Sequence, residues 1–296
     1  MRAGNTRFTA ALATAAMAAA GLSGCLVTTV APPDGAGALR YRDAVFADVS
    51  ITSNLAYGSA PDNEGKPVTL RLDLFQPTGD TVSARPAVVY AHSGGFGGGD
   101  KGEGAPLMEA LVRRGFVAVS INYRLLATSS CDGGGLTTGC INAATGAIDD
   151  TQAAVRWLRA NASRYRIDPN RIAVEGFSAG GVIATGIGAR PASAGNSGNP
   201  GHSSAVQAWV SIAGGLPGGQ GIGAGDPPGY LFSGTADTTV PHQWSVDTAR
   251  ALSDAGGYAA LRIEPGGGHD IPDQTMLAQQ TANFYYGTLK LKTAAR

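Results

Sequence analysis

The sequence has no excess of charge of either sign. It contains 22 Lys and Arg residues and 22 Asp and Glu residues among 296, so its formal net charge is zero. The basic residues form no stripe with interleaved aromatic residues, as nucleic-acid-binding surfaces commonly do, and we expect no nucleic-acid partner. The 44 glycines recur at no fixed period, which argues against a repeat architecture.

The chain also lacks an apolar stretch long enough to cross a bilayer. Residues 8–22 are apolar, but a membrane-spanning helix needs about 20 such residues. Two arginines precede this stretch, as in a secretory signal peptide. It ends in Leu22-Ser23-Gly24-Cys25, which resembles the lipobox of bacterial lipoproteins.

This resemblance implies that residues 1–24 are a signal peptide and that Cys25 becomes the lipidated first residue of the mature protein. Several acyl chains, at ~0.8 kcal/mol per buried CH₂, would hold it firmly on a membrane. Leu26 in place of an aspartate after the cysteine implies the outer membrane. The alternative is an ordinary secretory signal with a coincidental cysteine. Residues 25–40 are predicted to be a flexible tether that precedes a catalytic domain at 41–296.

Cysteine and histidine are scarce, with three and four residues. If Cys25 carries lipid, Cys131 and Cys140 remain, in an oxidising compartment. Two thiolates are too few ligands for a zinc site, and no histidine lies near them in the sequence. We therefore expect a disulfide, which in the chain-entropy model stabilises so short a loop by ~2.7 kcal/mol. No metal or organic cofactor is expected.

The apolar patterns predict an α/β fold. Alternating residues at 45–51 and 68–74 indicate two antiparallel strands with one solvated face. Short apolar strands then alternate with helical segments, which favours a mostly parallel central sheet with helices on both faces. The predicted strands are 87–91, 116–121, 172–174, 206–212, 229–232 and 259–263, and the predicted helices are 104–114, 144–163, 179–189, 243–256 and 273–290. The longest remaining stretches are 124–143, 190–205 and 213–228, too short for a large lid domain.

One serine lies where a predicted strand turns into a predicted helix. Residues 176–180 read Gly-Phe-Ser-Ala-Gly, the only G-x-S-x-G in the chain. A tight turn at this corner projects the hydroxyl of Ser178 beyond the sheet. Gly176 and Gly180 leave room where strand and helix approach most closely. Ser178 is therefore the candidate nucleophile.

Two further motifs carry a family resemblance. His92-Ser93-Gly94-Gly95-Phe96 follows the first parallel strand, and Asn122-Tyr123-Arg124-Leu125 follows the next one. Together they resemble α/β-hydrolase-fold esterases close to the hormone-sensitive-lipase-like and bacterial acetyl- or feruloyl-ester carboxylesterases. The resemblance implies the α/β-hydrolase fold and an oxyanion hole made by the backbone N–H groups of Gly94, Gly95 and Ala179. Ser93 departs from the family pattern, where a first glycine is usual. His92 is expected to brace the loop.

A serine nucleophile needs a base and an acid that orients it. In this fold the serine, the acid and the histidine follow one another in that order along the chain. His242 and His269 are therefore the candidate bases. His269 follows the last strand in a glycine-rich loop and is preferred, whereas His242 is interpreted as a residue at a helix start. Asp237 follows the preceding strand and is the candidate acid. Its alternative role is that of an ordinary turn aspartate.

The sequence therefore predicts a serine carboxylic-ester hydrolase acting on short-chain acyl esters, small or linked to a polysaccharide, through an acyl-enzyme. It is expected in the cell envelope, bound to the membrane through Cys25. Two alternatives remain. One is a peptidase of the same fold, which usually carries an additional propeller or cap. The other is a non-catalytic envelope lipoprotein that uses the fold as a binding module, although such a role gives no reason for the ordered serine, acid and histidine.

Overall fold

The computed structural model describes residues 38–128, 131, 137–189, 195–270 and 273–291. The predicted signal peptide at 1–24, the lipidation site Cys25 and most of the predicted tether lie outside the described residues. Within the described part of the chain, no helix is both long and apolar enough to cross a membrane.

Eight strands form one sheet, in the order β1-β2-β4-β3-β5-β6-β7-β8. β2 pairs antiparallel with β1 and β4, whereas every pairing from β4 onward is parallel. This confirms the predicted, mostly parallel sheet with antiparallel strands at its amino-terminal edge. The strands are β1 Val49–Pro61, β2 Pro67–Pro77, β3 Arg85–Ala91, β4 Val117–Asn122, β5 Ile167–Phe177, β6 Ala208–Ile212, β7 Gly229–Gly234 and β8 Ala259–Glu264.

Helices cover both faces of the sheet. Successive residues of a strand point to opposite sides, so each buried strand contributes side chains to the core on each face. In β5, Val174 belongs to a core packed under α2 and α4, whereas Ala173 belongs to the core under α1 and α6. α5 packs on β7 and β8 around Trp209 and Leu252. The helices are α1 Ala105–Val112, α2 Thr138–Ala160, α3 Ala162–Tyr165, α4 Ala179–Gly188, α5 His242–Asp254 and α6 Gln274–Thr288, with 3₁₀ turns at Lys101–Gly104 and Pro217–Gly219.

β1 covers Val49–Pro61 rather than 45–51, and the other main difference from the predicted elements is the start of α2. It begins at Thr138 rather than 144, so the end of the stretch predicted to be irregular is helical. The side chain of Thr137 caps it by accepting a hydrogen bond from the N–H of Cys140 at 3.2 Å. Cys140 is also joined to Cys131 in the expected disulfide, with 5.6 Å between the Cα atoms. A cap and a covalent link thus begin the helix among residues of weak helical propensity.

Candidate active site

Ser178 occupies the corner between β5 and α4. Its φ of 56° and ψ of −116° are rarely adopted by a residue with a side chain. Its backbone N–H donates to the carbonyl of Ile212 on the neighbouring strand at 2.8 Å, which supports the strained turn. A Cβ at Gly176 would overlap the carbonyl of Gly180, and a Cβ at Gly180 would overlap the carbonyl of Ala91. The sharp turn predicted from the motif is therefore present.

The structure brings Ser178, His269 and Asp237 into one hydrogen-bonded chain. His269 Nε2 lies 2.9 Å from Ser178 Oγ, and His269 Nδ1 lies 2.8 Å from Asp237 Oδ2. Because a carboxylate only accepts, Nδ1 carries the proton and Nε2 is free to accept from the serine hydroxyl. The side chain of Asp237 is fully buried, whereas that of His269 is 22% exposed. The imidazole is thus oriented by a buried carboxylate and reachable from solvent.

Asp237 also forms the turn that was its alternative interpretation. Its Oδ1 accepts from the backbone N–H groups of Thr239 at 2.8 Å and Val240 at 2.9 Å. One carboxylate oxygen therefore holds its own loop while the other faces the histidine. The two interpretations are compatible, because the turn fixes the direction in which Oδ2 points.

The loops that carry Asp237 and His269 follow adjacent parallel strands, β7 and β8. They are tied together by the N–H of Ala236, which donates to the carbonyl of Gly267 at 2.8 Å. Gly234 has no room for a Cβ beside the same carbonyl. The ring of Phe177 lies 5.1 Å from that of His269. Strand adjacency, backbone bonding and this ring contact hold His269 over Ser178.

The loop after β3 lies against the same serine. Gly94 and Gly95 have φ of 105° and 58°, in the left-handed region that favours glycine. The carbonyl of Gly94 accepts from the N–H groups of Gly97 at 3.1 Å and Gly98 at 3.0 Å. Both glycines line one cavity with Ser178. Ala179 is the first residue of α4, so its N–H has no carbonyl partner one turn earlier in the helix.

The role of Ser93 depends on Glu103, a residue that no sequence motif indicates. Glu103 accepts from the Ser93 backbone N–H at 3.0 Å and from its hydroxyl at 2.5 Å. It also accepts from the hydroxyl of Tyr90 at 3.0 Å. Ser93, unusual at this position, therefore anchors the loop through its side chain. The spacing of ten residues across a loop and a 3₁₀ turn gave no signal for this contact.

His92 is fully buried under this loop. Its ring stacks on Tyr123 with 4.2 Å between centroids, and its Nδ1 lies 2.6 Å from the carbonyl of Ser93. Tyr123 donates to the carbonyl of His92 at 2.9 Å. Burial lowers the pKa of His92, so the neutral ring donates through Nδ1. The position is that of a brace, as expected from the sequence.

The other candidates lie apart from this chain of hydrogen bonds. His242 begins α5, as interpreted from the sequence, and in the part of the chain described here it makes no hydrogen bond to Ser178 or Asp237. Asp150 lies well inside α2 and is buried. It forms an ion pair with Arg124 at 2.9 Å. Among the described residues, no group of three or more His, Cys, Asp or Glu side chains could hold a metal ion.

Two cavities open beside Ser178. A groove of about 540 Å³ is lined by Ser178, His269 and the Ser93–Gly95 turn. A second, mainly apolar pocket of about 290 Å³ is lined by Ser178, Ala179 and side chains of α2 and α5. The sequence singled out Ser178, Gly95, Ala179 and the two cysteines, but not the side chains of α2 and α5 that form most of the apolar wall.

Comparison with known proteins finds esterases and a lipase among the proteins similar to this chain. A family profile described as BD-FAE matches residues 72–213. Carboxylesterase NlhH of Mycobacterium tuberculosis is 38% identical over 100 residues, covering 33% of this chain and 27% of the relative. Secreted lipase 5 of Gibberella zeae is 28% identical over 163 residues, covering 51% of this chain and 30% of the relative. The chain thus spans less than a third of the length of these two curated relatives.

Solved structures match over a larger share of the chain. A truncated carbohydrate esterase from gut microbiota superposes with a TM-score of 0.62 at 23% identity, covering 81% of this chain and 96% of that one. Thermogutta terrifontis esterase 2 with bound butyrate gives 0.62 at 24% identity, covering 83% and 94%. At this identity the likeness shows the fold. The fold expected from the sequence is thus confirmed: this chain has the α/β-hydrolase fold, and over part of its length it is similar to carboxylesterases.

Proposed function

We propose that this protein is a serine carboxylic-ester hydrolase that acts on short acyl esters through an acyl-enzyme. The observation that carries the proposal is the hydrogen-bonded chain from Ser178 Oγ through His269 to Asp237 Oδ2. The strained serine turn and the esterase relatives support the same chemistry. Neither a packing nor a binding role needs a buried carboxylate, an oriented imidazole and a serine at a strained turn in this order.

The first half of the reaction transfers the acyl group to the protein. Ser178 Oγ attacks the ester carbonyl carbon while its proton passes to His269 Nε2, and the carbonyl electrons move onto the oxygen. Asp237 stabilises the imidazolium that forms. When the tetrahedral intermediate collapses, the bond from carbon to the alcohol oxygen breaks. His269 Nε2 then gives its proton to that oxygen, and the alcohol leaves.

The second half of the reaction regenerates the free serine hydroxyl. A water molecule attacks the acyl-enzyme and gives a proton to His269 Nε2, and collapse releases the carboxylic acid as Ser178 Oγ regains its proton. In both halves we assign the backbone N–H groups of Gly94, Gly95 and Ala179 to the developing oxyanion. Each such donor is typically worth about 3 kcal/mol in the transition state. No step uses a metal or an organic cofactor.

Covalent labelling tests the proposal. Thermogutta terrifontis esterase 2, which shares the fold, is phosphorylated by paraoxon, so a fluorophosphonate probe is a suitable reagent. We expect one label on the wild type and none on Ser178→Ala. A wild type that stays unlabelled and hydrolyses no chromogenic acetate or butyrate ester would instead support the non-catalytic binding module. Labelling with turnover of a peptide substrate, but of no ester, would support the peptidase.

We also propose that the protein is held on the outer membrane of the cell envelope through a lipid on Cys25. The support is the sequence Leu22-Ser23-Gly24-Cys25 after a short apolar stretch. Inhibition of lipoprotein processing with a globomycin-type compound should cause the uncleaved precursor to accumulate. Normal maturation in its presence would point to an ordinary secretory signal.

A further inference from the structure

The loop that carries two of the candidate oxyanion donors has a strained backbone. Gly94, Gly95 and Phe96 are three consecutive residues with positive φ, of 105°, 58° and 63°. Phe96 has a large side chain, and such a residue rarely adopts a φ of this sign. A conformation of this kind persists only where contacts from outside the strained residues fix it. The donors in this loop therefore depend on what holds the residues before and after them.

The direction of each donor is set by the carbonyl of the same peptide group, because the N–H and C=O of a planar trans peptide point in opposite directions. The carbonyl of Ser93 lies 2.6 Å from His92 Nδ1 and accepts from the hydroxyl of Tyr123 at 3.2 Å. The N–H of Gly94, in that peptide, therefore points the other way. The carbonyl of Gly94 accepts from two N–H groups of the following turn at 3.1 and 3.0 Å. The N–H of Gly95 is oriented in the same manner.

The peptide group before these two is held by a carboxylate. The backbone N–H of Ser93 lies 3.0 and 3.2 Å from the two carboxylate oxygens of Glu103, and the Ser93 hydroxyl donates to Oε2 at 2.5 Å. The N–H of Ser93 is thereby occupied, which leaves the next two N–H groups for an oxyanion. Beyond the strained residues, the carbonyl of Phe96 accepts from the N–H of Ala127 at 3.1 Å. The strained segment thus lies between two ties, and Glu103 makes the first.

Glu103 is itself fixed to the central sheet and not to the loop that it holds. The hydroxyl of Tyr90 donates to Glu103 Oε1 at 3.0 Å. In the same 3₁₀ turn, the carbonyl of Lys101 accepts from the hydroxyl of Ser120 at 2.5 Å, and Lys101 Nζ pairs with Asp73 at 3.1 Å. Tyr90, Ser120 and Asp73 are paired neighbours on the adjacent strands β3, β4 and β2. One polar row of the sheet therefore supports the turn that carries Glu103.

Resting on the proposed function, we propose that Glu103 is a positioning residue for the oxyanion hole. In the described part of the chain it lines neither cavity beside Ser178, so it acts through Ser93. By fixing the start of the strained segment, it fixes the place from which the N–H groups of Gly94 and Gly95 reach the carbonyl oxygen. Preorganised donors of this kind act mainly on the charge that develops in the transition state. Loss of the carboxylate should therefore lower kcat more than it changes KM.

A neutral substitution of the same size tests the role in kinetics. Glu103→Gln leaves one acceptor oxygen in place of two, too few for the three donors on Ser93 and Tyr90. For 4-nitrophenyl acetate, kcat should fall about tenfold, less than the ~10²-fold or more that deleting a donor costs, and KM should stay within about twofold. Glu109→Gln, on the surface of α1, is the matched control and should change neither constant. Ser93→Ala should also lower kcat, whereas Ser93→Thr, which keeps the hydroxyl, should restore it.

Inhibition by phenylboronic acid provides a readout that a merely structural role would not move. The boronate forms a tetrahedral adduct with a serine nucleophile and places an oxygen where the oxyanion develops. Its Ki should therefore rise in Glu103→Gln by about the factor by which kcat/KM falls, as expected for a transition-state analogue. A smaller folded fraction would lower the apparent kcat but leave Ki unchanged. Glu109→Gln should retain the wild-type Ki.

The outcomes separate this role from the proposed function. A wild type that hydrolyses no ester would overturn both. An active wild type whose kcat and Ki stay within about twofold in both Glu103→Gln and Ser93→Ala would overturn the role of Glu103 alone, and so would a fall in kcat at constant Ki. Glu103 is exposed, so its substitution should not prevent folding. If it does, the comparison of Ser93→Ala with Ser93→Thr decides, and equal Ki values for these two variants would contradict the proposal.

Discussion

At the scale of single residues, Glu175 lies in an unusual environment. It lies in β5, three residues before Ser178, and its side chain is almost completely buried. In the described part of the chain, its Oε2 has no hydrogen-bond partner. Burial raises the pKa of this carboxyl to about 8, and the hydroxyl of Tyr285 offsets only part of the effect. The carboxyl therefore stays protonated in the folded protein at neutral pH.

The raised pKa of Glu175 predicts a stability that falls as the pH rises. Between the unfolded pKa near 4.5 and the folded value near 8, only the folded state holds the proton. Unfolding then becomes easier by about 1.4 kcal/mol per pH unit. Glu175→Gln removes this dependence. The free energy of unfolding of the variant, minus that of the wild type, should therefore increase from pH 5 to pH 8. Urea unfolding across this range measures the difference, and Glu109→Gln, on the surface of α1, should show no such trend.

The second residue-scale prediction concerns the base. His269→Ala should lower kcat for a chromogenic ester at least ~10³-fold, because no other group would accept the serine proton. His242→Ala should stay within about threefold of the wild type, since His242 only begins α5. Steady-state kinetics of both variants decides the assignment. If His269→Ala retained kcat while His242→Ala lost it, His242 would be assigned as the base instead.

At this scale, the sequence predicted the candidate nucleophile, base and acid, which lie within hydrogen-bond distance of one another, but not the groups that support them. Ser178, Asp237 and His269 follow from strand ends, chain order and residue chemistry, all of which are local. Glu103 holds Ser93 across a loop and a turn, and such a contact depends on backbone geometry that no residue pattern encodes. The pairing of Asp150 with Arg124 joins α2 to the segment after β4, 26 residues apart in the chain, and no local pattern indicates it.

At the scale of elements, the site depends on close contact between α4 and the sheet. A Cβ at Gly180 would overlap the carbonyl of Ala91, at the end of β3, and it would lie 2.9 Å from the carbonyl of His92. The G-x-S-x-G pattern predicted this crossing, since only glycine allows it. The wall of the apolar pocket was not predicted, because it combines α2, α5 and the Leu216 turn. Their approach is set by packing across the sheet and not by any single segment.

A pair of matched substitutions tests the close crossing. Gly180→Ala should lower Tm and reduce ester turnover at least tenfold, because α4 must move away from β3 and carry Ser178 with it. Gly287→Ala in α6 is the control, since a Cβ there meets no other atom within 4 Å. It should raise stability by about 0.5–1 kcal/mol through helix propensity. Thermal unfolding and ester kinetics check both variants: Gly180→Ala should lower Tm and turnover together, whereas Gly287→Ala should raise Tm and leave turnover unchanged.

At the scale of the whole molecule, the described chain enters the domain at the end of the sheet opposite to the site. Arg40 pairs with Asp80, shortly before β3, and the N–H of Tyr41 donates to the carbonyl of Arg114, shortly before β4. Ser93 and Ser178 follow the carboxyl ends of β3 and β5. The tether predicted over residues 25–40 would therefore meet the domain on the side away from Ser178, and the groove need not face the proposed anchor.

The proposed anchor should therefore be separable from catalysis. Removing residues 1–24 leaves 20 basic and 22 acidic residues, a net charge of −2, which provides no electrostatic attraction to an anionic membrane. Membrane attachment would then depend on the lipid at Cys25 alone. Cys25→Ala should lose a metabolic palmitate label and move from the membrane to the soluble envelope fraction, while kcat/KM for a soluble ester stays within about twofold. A palmitate label that persists in Cys25→Ala would place the lipid elsewhere, and lost activity would mean that the anchor also supports the fold.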